Sequence, residues 1–150
     1  MNKNKIVITG GHGRFGKVLS LSNKNLNIYY PKKNELNILK IDSINSYLKK
    51  IKPKYLIHCA GLSRPMDIHN TEISKSIDIN IIGTANIVKI CSKLKIKLIY
   101  FSTGYVYEGK IGNYKESDPV LPINNYAWSK LGGECAVAMY KNSLILRITM

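Results

Sequence analysis

Apolar and polar positions alternate in two rhythms along the chain, short β-rich runs giving way to longer stretches at helical spacing. KIVIT (5–9) is a short β-rich run that ends at a glycine cluster, and RFGKVLSLS (14–22) follows as a helix. LNIYY (26–30) predicts a second strand, with a brief extended piece near Leu36 to Ile38. A helix is expected from about Ser43 to Ile51, with Asp42 as its N-cap, followed by a strand over YLIHCA (55–60). Ile73, Ile77, Ile81, Val88 and Cys91 fall on one helical face, which predicts a single long helix from Thr71 to Leu94. KLIYFS (97–102) is a strand, 104–123 a loop, 125–140 a helix, and LILRI (144–148) a final strand. Strands alternating with helices of this length point to βαβ units around a parallel sheet. The expected fold is therefore α/β: a doubly wound parallel sheet with helices on both faces, in one domain over 1–150.

Length and composition agree with that picture. A chain of 150 residues that is 45% hydrophobic is long enough to bury roughly 70% of its unfolded surface. No apolar run approaches the roughly 20 residues of a membrane span, and MNKNK leads straight into the first strand without a targeting signal. A cytoplasmic protein with no membrane partner is expected. The net charge of +14 is almost all lysine, since arginine occurs only at Arg14, Arg64 and Arg147. The lysines are scattered and no aromatics interleave with them, so nucleic acid is not the expected partner. Cys59, Cys91 and Cys135 lie far apart in apolar contexts and read as buried free thiols, with no metal site.

Two segments carry chemistry. TGGHGRFG (9–16) places Gly10, Gly13 and Gly16 between a strand and a helix, the context a dinucleotide loop requires. Gly10 permits the tight turn, Gly13 lets the backbone approach a pyrophosphate, and Gly16 lets helix and strand pack closely. The helix N-terminus then faces the phosphates, flanked by His12 and Arg14. NAD-binding units usually carry an acid at the end of the second strand. Here Pro31, Lys32 and Lys33 stand there, which favours NADP with its 2′-phosphate over NAD. The second segment is NNYAWSKLGGE (124–134). Tyr126 and Lys130, four residues apart on a helix, share one face. A nearby ammonium is expected to lower the phenol's pKa and prepare it for proton transfer to a carbonyl oxygen. Thr103, where a strand opens into a loop, is placed to hydrogen-bond the same oxygen.

These segments together resemble the extended short-chain dehydrogenase/reductase family over nearly the whole chain. HCAG (58–61), NIIGTAN (80–86), FSTGYVYEG (101–109), PINNYAWSKLGGE (122–134) and SLILRIT (143–149) are similar to that family's successive motifs. Within it, the likeness is to reductases of nucleotide-linked 4-keto sugars, the dTDP-4-dehydrorhamnose reductase group. The resemblance implies a Rossmann fold and a catalytic Thr103, Tyr126 and Lys130. It implies cofactor contacts at Gly10, Gly13, Arg14, Phe15 and Gly16, at Asn37 and Ile38 for the adenine, and at Ala60, Gly61 and Leu62. Lys130 would hold the ribose, the partner would be a nucleotide-sugar, and two copies would dimerise through the two long helices. The sequence departs from the group in Asn37, where many members have Asp, and in Gly104, where an acid follows the catalytic Thr. The family also continues well over a hundred residues further, into a lobe that binds the sugar and that this chain lacks. An NAD-dependent epimerase or dehydratase and a non-catalytic Rossmann module, such as a regulatory subunit, are the alternative readings.

Overall fold

The computed structural model describes residues 4–22 and 25–148. Its centre is a five-stranded, wholly parallel sheet in the order β2-β1-β3-β4-β5. The strands are β1 (Lys5–Thr9), β2 (Asn27–Tyr29), β3 (Tyr55–His58), β4 (Lys97–Thr103) and β5 (Ser143–Ile148). The helices are α1 (Arg14–Ser22), α2 (Ile41–Ile51), α3 (Ile68–Thr71), α4 (Ile73–Ser76), α5 (Gly83–Leu94) and α6 (Asn125–Ala138). The chain leaves β1 in one direction for β2 and then crosses back to β3, so strand order reverses between β1 and β3. Open parallel sheets bind ligands in the crevice at that reversal, beyond the strands' carboxyl ends.

Alternation along β4 separates the two faces. Leu98 and Tyr100 are fully buried, and join Val7, Leu56, Ile44, Leu48, Ile87, Ile90, Cys91 and Val137 in one core beneath α2, α5 and α6. Phe101 points the other way and meets Phe15 of α1, ring centroids 4.6 Å apart. Helices thus lie on both faces, and the Rossmann-like α/β fold expected from the sequence is the fold observed.

Local differences have local causes. The piece around Leu36–Ile38 is a run of turns, closed by the Glu35 and Leu36 N–H groups on the Lys32 carbonyl and the Lys40 N–H on Asn37. Asp42 is not the cap of α2: Lys40 occupies that position without a side-chain bond, and Asp42 sits inside the first turn. There its charge faces the helix's positive end. The long helix expected over 71–94 is interrupted. α3 precedes it, and a π-helical segment, Ile77–Ile82, separates α4 from α5. Of the three thiols only Cys91 is fully buried; Cys59 is half-buried and Cys135 is exposed on α6. Among the described residues no helix is long and apolar enough to cross a membrane.

Candidate dinucleotide cleft and catalytic site

The carboxyl ends of β1 and β3 open onto a cleft of about 310 Å³. Thr9, Gly10, His12 and Gly13 line it from the glycine loop, Ala60 and Gly61 from the end of β3, and Asn37 and Ile38 from the turn after β2. Pro31, Lys33, Leu36, Leu39 and Ile79 complete the walls. Gly10 has φ +70° and lies against the next strand end, where an added Cβ would come within 2.5 Å of the Ala60 nitrogen. Gly13 closes the turn by donating from its N–H to the Gly10 carbonyl at 2.9 Å. A Cβ on Gly16 would be driven into the Gly11 carbonyl, so glycine there allows α1 to start close under the loop.

The expected cofactor residues divide on inspection. Gly10, Gly13, Asn37, Ile38, Ala60 and Gly61 face the cleft directly. Arg14 is exposed at the start of α1, and Phe15 is engaged with Phe101 across the sheet. Leu62 does not line the cleft, and its backbone N–H and carbonyl are both taken by the Asn80 amide. Lys33 lines the cleft, whereas Lys32 builds the turn beside it: its N–H donates to the Glu35 carboxylate at 2.8 Å. The Asn37 Oδ1 already accepts from the Leu39 N–H at 3.0 Å, leaving one lone-pair direction for a ligand.

Beneath the cleft lies a buried polar chain. His58 is fully buried, with Nδ1 2.7 Å from the Thr9 hydroxyl and Nε2 3.1 Å from that of Thr84. Burial, assisted by the Lys130 ammonium, lowers its pKa from 6.5 to about 3 and keeps it neutral. Both ring nitrogens are satisfied, so His58 ties β1, β3 and α5 together below the loop.

Tyr126 begins the first turn of α6, where Asn124 caps the helix by accepting from the Ala127 N–H at 2.8 Å. Thr103 ends β4 and is buried, its hydroxyl oxygen accepting from the Tyr105 N–H at 3.2 Å. The fold brings Thr103 near the Tyr126 phenol although 23 positions separate them in sequence, and the Thr103 hydroxyl draws the phenol's pKa down. The net direction at Tyr126 differs from the sequence expectation. Burial raises its pKa above 10.0, the Thr103 hydroxyl draws it down, and the neighbouring Tyr105 phenol raises it again. The protein's own groups therefore keep the Tyr126 phenol protonated at neutral pH.

Lys130 is buried one turn further on. Its Nζ lies 4.2 Å from the centre of the Tyr100 ring, a cation–π contact, and close to Gly61. Burial lowers its pKa from 10.5 to about 8, against opposing effects of Cys59 and Glu134. The ammonium is thus aimed at the strand end that floors the cleft.

Sequence reasoning missed Asn80 and the pair Glu134–Arg147. Asn80 is 1% exposed and lies in the π-helical segment. Its amide accepts from the Leu62 N–H at 2.7 Å, donates to the Leu62 carbonyl at 2.9 Å, and donates to the Ser129 hydroxyl at 2.8 Å. Ser129 in turn donates to the Tyr126 carbonyl at 2.7 Å. One side chain thereby joins the cleft wall to α6. Its place in the NIIGTAN motif was the available signal. Glu134, buried two turns beyond Tyr126, binds Arg147 of β5 at 2.8 Å. Arg147 Nη1 donates to the Tyr107 hydroxyl at 2.7 Å, and that hydroxyl donates to the Lys115 carbonyl at 3.0 Å. These bonds fasten the loop after β4.

Known proteins share this fold. The chain is 28% identical over 142 residues to methionine adenosyltransferase 2 subunit beta of Rattus norvegicus, covering 89% of this chain and 42% of that protein. It is 28% identical over 148 residues to dTDP-4-dehydrorhamnose reductase of Aggregatibacter actinomycetemcomitans, covering 95% of this chain and 50% of the enzyme. The crystal structure of dTDP-4-dehydrorhamnose reductase from Bacillus anthracis in complex with NADP superposes with a TM-score of 0.89 at 31% identity, over 97% of this chain and 53% of that one. The chain thus spans about half the length of the proteins it matches. Residues 4–150 match the family described as the RmlD substrate binding domain, and the chain belongs to that family.

Proposed function

We propose that the chain forms the dinucleotide-binding and proton-donating half of an NADP-dependent reductase of a nucleotide-linked 4-keto sugar. What supports this reading most is Thr103 near the Tyr126 phenol at the end of β4, with the Lys130 ammonium beside Gly61 of the glycine-loop cleft. The cleft fits a dinucleotide. Its glycines leave no Cβ between loop and strand end, and Pro31, Leu36, Ile38 and Leu39 form apolar walls suited to a purine. Gly10, Gly13, Ala60 and Gly61 would hold the cofactor's backbone, Asn37 and Ile38 its adenine, and Lys33 its 2′-phosphate. The Lys130 ammonium would hold a ribose hydroxyl.

When bound, the nicotinamide supplies hydride to the carbonyl carbon. Tyr126, kept protonated by burial, would donate its proton to the carbonyl oxygen, with the Thr103 hydroxyl placed to hydrogen-bond the same oxygen. Lys130, carrying its charge below pH about 8, stabilises the phenolate left behind. The similarity to the NADP-bound reductase supports this cofactor. Ile73, Ile77 and Ile82, with Trp128 on α6, are exposed apolar side chains that suit pairing of two copies through these helices.

Two measurements test the reading. Calorimetric titration should show tighter binding of NADP than NAD, and Lys33→Gln should erase the preference. Equal affinities in the unaltered chain would remove the 2′-phosphate from the argument. In a chain that reduces a 4-keto sugar, Tyr126→Phe should lower kcat by at least about 100-fold, the contribution typical of a positioned proton donor, with cofactor affinity kept. An unchanged kcat would take Tyr126 out of the chemistry. A second reading follows from the similarity to methionine adenosyltransferase 2 subunit beta: a dinucleotide-binding subunit that assembles with an enzyme. NADP binding without carbonyl reduction, together with co-purification of a partner enzyme, would favour it.

A further inference from the structure

One histidine beside the site belongs neither to the cleft nor to the Thr103, Tyr126 and Lys130 set. His69, on α3, is 1% exposed. Its Nδ1 lies 2.7 Å from the Ser76 hydroxyl at the end of α4, while its Nε2 is buried without a partner among the described residues. The imidazole faces the Tyr126 ring, centroids 5.1 Å apart and planes tilted by 53°. Tyr105 approaches the same ring edge-on at 6.4 Å. The backbone repeats the link: Asn125, beside Tyr126, donates to the His69 carbonyl at 3.4 Å and to the Asn70 side chain at 2.9 Å.

A histidine serving only the core satisfies both ring nitrogens, as His58 does with Thr9 and Thr84. At His69 the orphaned buried nitrogen carries a desolvation cost that the single bond to Ser76 leaves uncompensated. What the ring has beside it is the Tyr126 phenol, the two centroids 5.1 Å apart. We propose that His69 is a positioning residue for Tyr126: held by Ser76, its imidazole walls one side of the phenol ring, fixes its direction and keeps water from it.

This rests on the reading of Tyr126 as the proton donor. The titratable groups around the phenol are Tyr105 from the turn after β4, Tyr100 of β4, Lys130 one turn along α6, and His69 itself. Burial lowers the His69 pKa, so at neutral pH the imidazole brings no charge to the phenol. It acts by excluding water, which is the leading cause of the raised Tyr126 value.

Spectrophotometric titration of the tyrosines tests the proposal without any enzymatic readout. The difference between the unaltered chain and Tyr126→Phe isolates the Tyr126 phenol, whose midpoint should lie above 10. His69→Ala should let water reach the ring and bring that midpoint back towards 10, and imidazole added to this variant should raise it again. Ser76→Ala, which leaves the ring in place but unheld, should lower the midpoint part of the way. It keeps the test open where the larger truncation unfolds the chain. A midpoint unchanged in either variant, or a fall that imidazole does not reverse, would overturn the proposal. Absence of carbonyl reduction would instead count against Tyr126 as proton donor, so the two failures are distinguishable.

Discussion

Acidification should destabilise the fold through His58, which lies beneath the candidate dinucleotide cleft, and its displaced pKa sets the pH window in which this happens. Its imidazole is fully buried and neutral, bonded to Thr9 and Thr84, with a pKa of about 3 against 6.5 for the free side chain. A basic group with a depressed folded-state pKa binds its proton more readily in the unfolded chain. Its contribution to stability is therefore intact above pH 6.5 and is lost progressively as the pH falls towards 3. At about 1.4 kcal/mol per pH unit, the interval from 6.5 to about 3 sets a ceiling of about 5 kcal/mol, with about 2 kcal/mol already gone at pH 5. That is a large share of the roughly 5–15 kcal/mol that holds a domain together. The assay is urea unfolding at a series of pH values, followed through the single tryptophan, Trp128 on α6. His58→Gln removes the titration, and its own constant cost drops out when only slopes are compared. The unaltered chain should lose stability more steeply than the variant between pH 6.5 and 4. Parallel curves would show that His58 is not held neutral by burial, and the reasoning would fall with them.

Three further outcomes follow from the same geometry. Gly16→Ala should destabilise the chain by at least about 1–3 kcal/mol, the usual cost of overpacking, and weaken dinucleotide binding. Thermal unfolding and calorimetry would check it, and a variant indistinguishable from the parent would mean that α1 can shift away from the Gly11 carbonyl. Dinucleotide affinity should decline as the pH rises through about 8, where Lys130 loses its proton; Lys130→Met should bind more weakly and show a flat profile over that range. Glu134→Gln, which strands Arg147, should cost about 3 kcal/mol, the lower end for a broken buried pair because Arg147 is partly exposed. The variant should also become more sensitive to proteolysis within 107–118, the loop that Tyr107 anchors, and an unchanged cleavage rate would show that the loop holds without the pair.

The features legible in the sequence were those whose physics is local. Strand and helix periodicity marked every strand of the sheet, because a half-buried strand repeats every two residues and a half-buried helix every 3.6. The glycine loop was readable because Gly10, Gly13 and Gly16 act within one turn between neighbouring elements. The shared face of Tyr126 and Lys130 was readable for the same reason, one helical turn being enough to place both. Where competing local signals were close in strength, the reading slipped. Asp42 is a good N-cap residue, but the chain enters α2 two positions earlier. Lys32 and Lys33 are neighbours in sequence, yet the turn that Lys32 makes with Glu35 leaves Lys33 to face the cleft.

Tertiary structure decided everything that depended on burial or on partners far along the chain. Charge spacing suggested that Lys130 would lower the Tyr126 pKa. In the fold, burial outweighs its neighbours and holds the phenol above 10.0, while Lys130 points to Gly61 and Tyr100. Asn80 meets Leu62 and Ser129 across separations of 18 and 49 residues, and Glu134 meets Arg147 only because α6 packs on β5. His69 lies in a stretch to which periodicity assigned no element, and it meets Tyr126 only because α3 packs on α6. Sequence alone determined which elements form and which residues could carry the chemistry, because those properties reside in a few consecutive side chains. Only packing determined which of them meet and in what state of protonation, because desolvation and charge act through space.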